Sequence, residues 1–206
     1  MRVLVTFFAP FGTDQENASA LAAKLLPKNI GAAQVITAEL PVAFEGAEQA
    51  LKQALGELSP DLVLCTGQAE GTAELHLERV AVNLRDARIP DNEGFAPEEM
   101  PICPEGPTAY FATIPVKRLT EKLQKSGIPA AVSNSAGTYV CNDVMYTLLH
   151  ALSQSAADVL GGFIHVPLAP QQAAERTGSV PSMASGDAAR GLQHIICQLQ
   201  KFNTNR

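Results

Sequence analysis

Apolar positions along this chain fall into two kinds of segment: short runs of consecutive hydrophobic residues, and longer stretches where they recur every three or four positions. The runs at 2–8, 33–40, 61–65, 130–133 and 162–166 predict strands, most of them buried on both faces. Segments 17–26, 45–58 and 116–126, one from Cys141 onward and a last one at 185–202 have the composition or the spacing of helices. Asn17 is placed to cap the first of these and Gly127 to end the third. Residues 78–84 alternate apolar and polar, which predicts a strand with one exposed face, and 109–114 predicts another. Strands alternating with helices point to an α/β fold, a three-layer α/β/α sandwich around a mixed, largely parallel sheet, with 1–206 as one domain.

One stretch breaks the rhythm. Residues 86–107 are rich in proline and acidic side chains and show no sustained period, so they predict a long loop. The chain is otherwise that of a globular protein, with 46% hydrophobic and 17% charged residues among 206. A net charge of -6 without clustered Lys and Arg argues against nucleic acid as a partner and against a membrane-binding patch. No apolar run approaches the roughly 18 residues of a membrane span. The opening "MRVLVTFFAPFG" is interrupted by Pro10 and Gly12, so it predicts a first strand and not a secretory leader. Cys65, Cys103, Cys141 and Cys197 lie far apart with no CxxC pair, the usage of reduced thiols in a cytoplasmic protein.

The stretch "SNSAGTYVCNDVMYTLLH" carries the candidate chemistry. From Cys141 the residues Val144, Met145, Leu148, Leu149 and Leu152 repeat at helical spacing, so the thiol falls in or beside a first helical turn. Unpaired N–H groups there stabilise a thiolate and can bind the oxyanion formed when sulfur attacks a carbonyl. A lone cysteine is more often a core residue, and that reading suits Cys65 and Cys197, while Cys103 in the loop is uncommitted. A nucleophilic thiol needs a base. His165 follows a buried strand and precedes Val166-Pro167, at a strand end; His150 is too far along the helix from Cys141 to reach back. His76 is expected in a polar loop and His194 on the last helix. Cys141 with His165 is therefore one pairing among several, and spacing alone nominates no carboxylate.

Five blocks in order, "VTFFAPFG", "TGQAEG", "LERVAVNLRDARIPDNEG", "SNSAGTYVCNDVMY" and "GFIHVP", resemble the pyroglutamyl peptidase I family, the pyrrolidone-carboxylate peptidases. With "GPTAYFATIPVKRL" between them, the resemblance covers nearly the whole chain except the C-terminal helix. It implies a cysteine peptidase that removes N-terminal pyroglutamyl residues from peptides, needing no metal or other cofactor and assembling as a homodimer or homotetramer. Carried onto this sequence, the nucleophile is Cys141, the base His165 and the third member Glu78, which is expected to open the strand at 78–84. The lactam pocket would be formed by Phe8 and Phe11 against the ring, Gln68 as a polar partner, and Ile89, Tyr139 and Val140 as walls. Arg88 would assist the oxyanion or the loop.

The resemblance is imperfect in two turns. Phe7, Ala9 and Thr13 stand in the first block where the family has glycine, an acidic residue and glycine, and Glu70 and Thr72 replace glycine and arginine after Gln68. Phe7 is expected to tighten the pocket floor or shift its turn. These changes raise a second reading, a pyroglutamyl-binding homologue with an altered pocket and little or no turnover. A nucleotide-binding domain is disfavoured, because neither GxGxxG nor GxxxxGK[ST] follows any strand.

Overall fold

The computed structural model describes residues 1–203. In chain order its first elements are β1 (Arg2–Phe8), α1 (Ala18–Ala23), β2 (Asn29–Ile30), β3 (Ala33–Leu40), α2 (Phe44–Leu58), β4 (Leu62–Ala69), β5 (Leu75–Glu78) and β6 (Val80–Val82). After the long loop come β7 (Ala109–Phe111), α3 (Val116–Lys125), β8 (Ala130–Ser133), α4 (Val140–Ser153), β9 (Leu160–Pro167), α5 (Pro170–Ala174) and α6 (Ser185–Asn203). Seven strands form one sheet in the order β2-β3-β1-β4-β9-β5-β8. Strands β3, β1, β4 and β9 run parallel, β5 turns back against β9, and β8 runs parallel to β5.

Side chains alternate across this sheet and sort the core into two layers. Val3, Val5 and Phe7 of β1 join Leu62 and Leu64 of β4 in the layer with α1, α3 and α6. Leu4 and Phe8, with Val63, Cys65 and Phe163, pack in the layer with α2 and α4. Burying each such Val, Leu or Phe side chain contributes about 1.5–3 kcal/mol, which is why the central strands read as unbroken apolar runs. The expected three-layer sandwich around a mixed, largely parallel sheet is the observed one. Among the described residues no helix is long and apolar enough to cross a membrane.

Several boundaries differ from the sequence reading. The strand expected at 61–65 continues to Ala69, so Thr66, Gly67 and Gln68 are strand residues paired with β9. Residues 78–84 are not one strand. Glu78 closes β5, and at Arg79 the chain changes partners: its N–H donates to the Ser133 carbonyl while its own carbonyl accepts from Ala112 N–H. Beyond it β6 pairs with β7 in a separate two-stranded sheet. His76, expected in a loop, is consequently in β5. Asn17 does cap α1, its side chain accepting from Ser19 N–H. The long loop is irregular as expected but tightly held. Asp91 caps α2 through Phe44 N–H at 2.9 Å, Asn83 bonds both the N–H and the carbonyl of Cys103, and Arg85 bridges Met100.

Candidate active site

Helix α4 begins where the chain turns through Gly137 at φ +79° and enters the extended residue Tyr139. Thr138 is fixed to the long loop, its hydroxyl donating to the Asp86 carbonyl at 2.7 Å. Tyr139 supplies no side-chain cap, so the first-turn N–H groups around Cys141 are not consumed by one. Val140, Val144, Met145 and Leu148 bury the helix against the sheet. Asn142 then locks it to β6, accepting from Val82 N–H at 2.9 Å and donating to the Val82 and Leu84 carbonyls. The thiol of Cys141 is held over β4 at Gly67. A Cβ built on Gly67 would lie 2.8 Å from the Cys141 Sγ and 2.8 Å from the Phe163 ring, so only glycine leaves the sulfur this position.

On the neighbouring strand, paired with Gly67, is His165. Its Nδ1 lies 2.7 Å from Glu78 Oε1, and both side chains are buried. A carboxylate against Nδ1 fixes the proton on that nitrogen and leaves Nε2 to serve the sulfur. Glu78 Oε2 is buried without a hydrogen-bond partner, so the interaction with His165 carries the side chain's polar contact. Burial alone would push the imidazole down. The Cys141 sulfur and the Glu78 carboxylate outweigh it and raise His165 to about 10, which keeps the ring protonated at neutral pH. Cys65, by contrast, is raised to about 12 by burial and is an inert core thiol.

Cys141 opens onto a cleft of about 660 Å³ whose walls include Phe8, Phe11, Val42, Gln68, Arg88, Ile89, Tyr139 and Val140. Every residue assigned to the pocket from the sequence therefore lines one cleft, while Glu78 and His165 lie buried behind the thiol. Phe11 meets Tyr139 edge-on at 5.8 Å, Tyr139 meets Phe44 at 5.2 Å, and the Tyr139 hydroxyl donates to the Pro90 carbonyl. Ile89 and Arg88 are exposed at the rim. Gln68 is largely committed already: its Oε1 accepts from Ala18 N–H and Gln172 Nε2, and its Nε2 donates to Asp14 Oδ2 at 3.2 Å. One amide N–H remains to offer a ligand.

The expectation for Phe7 is corrected. Phe7 points into the opposite core layer beneath Lys24, whose Nζ is 5.9 Å from the ring centroid, so it forms no part of the pocket floor. Glu70 lines the cleft and reaches Arg176 at 3.5 Å, while Arg176 also holds Asp14. Thr72 bonds within its own turn, to Glu74 and to His76. The sequence reading missed Gly67 as a functional position. Its signal was the glycine inside "TGQ", which lies beyond the end of the strand predicted at 61–65 and within β4 as observed.

A cysteine beside a carboxylate-held histidine, at the floor of a cleft in an α/β/α sandwich, defines the class of thiol hydrolases. Residues 1–201 match the family model described as pyroglutamyl peptidase. Similar proteins include the pyrrolidone-carboxylate peptidase of Thermococcus onnurineus, 45% identical over 95% of this chain and 97% of its own length. That of Escherichia fergusonii is 48% identical over 94% and 90% respectively. Among solved structures, the pyrrolidone carboxyl peptidase from Thermococcus litoralis superposes with a TM-score of 0.94 at 38% identity, covering 100% of this chain and 96% of that one. The chain belongs to the pyroglutamyl peptidase family.

Proposed function

We propose that this protein hydrolyses the bond following an N-terminal pyroglutamyl residue, with Cys141, His165 and Glu78 as its catalytic residues. The observation that carries the reading is the buried Glu78–His165 bond set directly behind Cys141 at the cleft floor. The Cys141 sulfur attacks the pyroglutamyl carbonyl, and first-turn N–H groups of α4 face the resulting oxyanion. His165 gives its proton to the leaving amine, and the C–N bond breaks to leave a pyroglutamyl thioester. The neutral imidazole then takes a proton from water, whose oxygen displaces the sulfur and frees pyroglutamate. Glu78 holds Nδ1 throughout and stabilises the imidazolium.

The lactam ring fits between Phe8, Phe11, Ile89, Tyr139 and Val140, and the free N–H of Gln68 suits its carbonyl. Arg88 stands at the rim, on the loop it was expected to steady. The reading of a binding homologue without turnover gains nothing from Phe7, which faces away from the pocket. Four free cysteines suit a reducing compartment, in keeping with the cytoplasm. Exposed Ile89, Phe95 and Met100 on the long loop give apolar surface for the proposed homodimer or homotetramer, and the chain is read as one domain. Release of a fluorescent amine from a pyroglutamyl amide, compared with Cys141→Ala, tests the activity. Turnover lost in the variant supports it, and a folded wild type without turnover contradicts it.

A further inference from the structure

The sheet order lays this site out as a row. Phe8 ends β1, Gln68 lies near the end of β4, Gly67 on β4 supports the Cys141 sulfur, and His165 follows on β9. The next strand is β5, and there His76 is paired directly opposite His165. Leu75 and Leu77 point into the layer beneath α3 and α6, so His76 shares the α4-facing side with Glu78 and His165. Directly opposed side chains in an antiparallel pair have Cβ atoms about 4.5–5.5 Å apart. The walls of the lactam pocket come from the β1–β4 end of the row, whereas the proton for the leaving amine comes from His165. A peptide held with its ring in that pocket therefore departs across His165 towards β5. Adjacent strands are about 4.8 Å apart, little more than one residue of extended chain.

We propose that His76 is the residue that receives the departing peptide, accepting a hydrogen bond from its backbone N–H. This rests on the peptidase reading above. Thr72 Oγ1 accepts from Glu74 N–H and lies 3.2 Å from the Glu74 carbonyl and 3.1 Å from His76 Nε2. With the hydroxyl proton assigned to the carbonyl, Nε2 carries the ring proton and Nδ1 a lone pair, an assignment that the Glu74 carboxylate near Nε2 favours. Among the described residues Nδ1 has no hydrogen-bond partner, and the side chain is 30% exposed, with Glu74 Oε1 3.7 Å from the far nitrogen. His76 is thus half-buried, held from one side, and offers one acceptor on the strand next to His165. The ligand is the main chain beyond the scissile bond, whatever its side chains.

The test compares kcat/KM for pyroglutamyl-alaninamide, which carries a further N–H, with that for pyroglutamamide, which has nothing beyond its leaving nitrogen. His76→Leu should lower the ratio of the two by about three- to tenfold, the effect of one hydrogen bond. His76→Asn puts an amide oxygen near the Nδ1 position and should restore most of it. His76→Gln puts its amide near Nε2 and should not. If the leucine variant does not fold, the contrast between Asn and Gln carries the same test. A ratio unchanged in His76→Leu, both rates falling together, or Asn and Gln behaving alike would overturn the proposal. A wild type that cleaves neither compound would overturn the peptidase reading itself, and the subsite with it.

Discussion

Gly67 shows how a missing side chain can make room for the proposed nucleophile. A Cβ there would sit 2.8 Å from the Cys141 Sγ and 2.8 Å from the Phe163 ring, so Gly67→Ala must displace the thiol as well as Phe163. Because a shift of about 1 Å at a reacting atom can cost roughly 100-fold in rate, the variant is expected to lose about that much kcat/KM. Unaltered amine release from a folded Gly67→Ala protein would remove the steric argument. Glu78→Gln keeps the shape of the side chain but lets the imidazole lose its fixed orientation and its countercharge. A fall in kcat of about 100-fold or more is expected, with KM little changed. His165 also makes stability depend on pH. Its folded value, about 10, lies above the ordinary 6.5, so the protonated ring is the form the fold favours. The stability this contributes is complete below about 6.5 and is lost as pH rises towards and through 10. Thermal melts from pH 7 to pH 10 should therefore show a larger fall in Tm for wild type than for His165→Gln, and equal falls would contradict the assignment.

At the scale of elements, α4 and the long loop act as a unit tied by Arg85. Its Nε donates to Asp143 Oδ1 at 2.6 Å in the first turn of α4, and its Nη2 to Glu48 Oε2 at 2.7 Å on α2. Its backbone meanwhile closes the loop against Met100. Asp143 is fully buried, and burial pushes its carboxyl up to about 6 even against the opposing pull of Arg85. Removing Arg85 leaves that carboxylate without its cation. Arg85→Ala should destabilise the fold by about 3–5 kcal/mol at pH 7. The penalty should shrink at pH 5, where Asp143 takes up a proton, and urea melts at the two pH values would show it; an equal loss at both would mean the pair is not what Arg85 provides. This network also shows where sequence reading stops. Strands β1, β3, β8 and β9 and the start of α4 were legible because apolar runs and helical spacing are local signals. The split at Arg79 was not, since alternation in 78–84 records exposure and cannot say which strand each residue pairs with. His76 was taken for a loop residue for the same reason: its partner, His165, is 89 positions away in the chain. Cys141 and His165 were nominated by a helix start and a strand end, as one pairing among several, while Glu78 and the pocket residues came from resemblance to a family.

Across the whole molecule, one sheet sets out the proposed site in a row: the lactam pocket over β1 and β4, the thiol at the β4–β9 boundary, and the proposed leaving side over β5. The exposed apolar residues of the long loop lie on the same segment as Arg88 and Ile89, so assembly through that loop would steady one wall of the cleft. Light scattering should then return two or four times the chain mass of 21.8 kDa, and a monomer at working concentration would end that proposal. The central claim is that sulfur of Cys141 carries the pyroglutamyl group between the two half-reactions. Acid quenching during turnover of a pyroglutamyl ester, followed by peptide mapping, tests it most directly. The account predicts one pyroglutamyl thioester on the peptide containing Cys141, accumulating further when His165 is replaced by a residue that cannot activate water in the second step. Turnover with no such adduct, or an adduct on Cys103 instead, would contradict it.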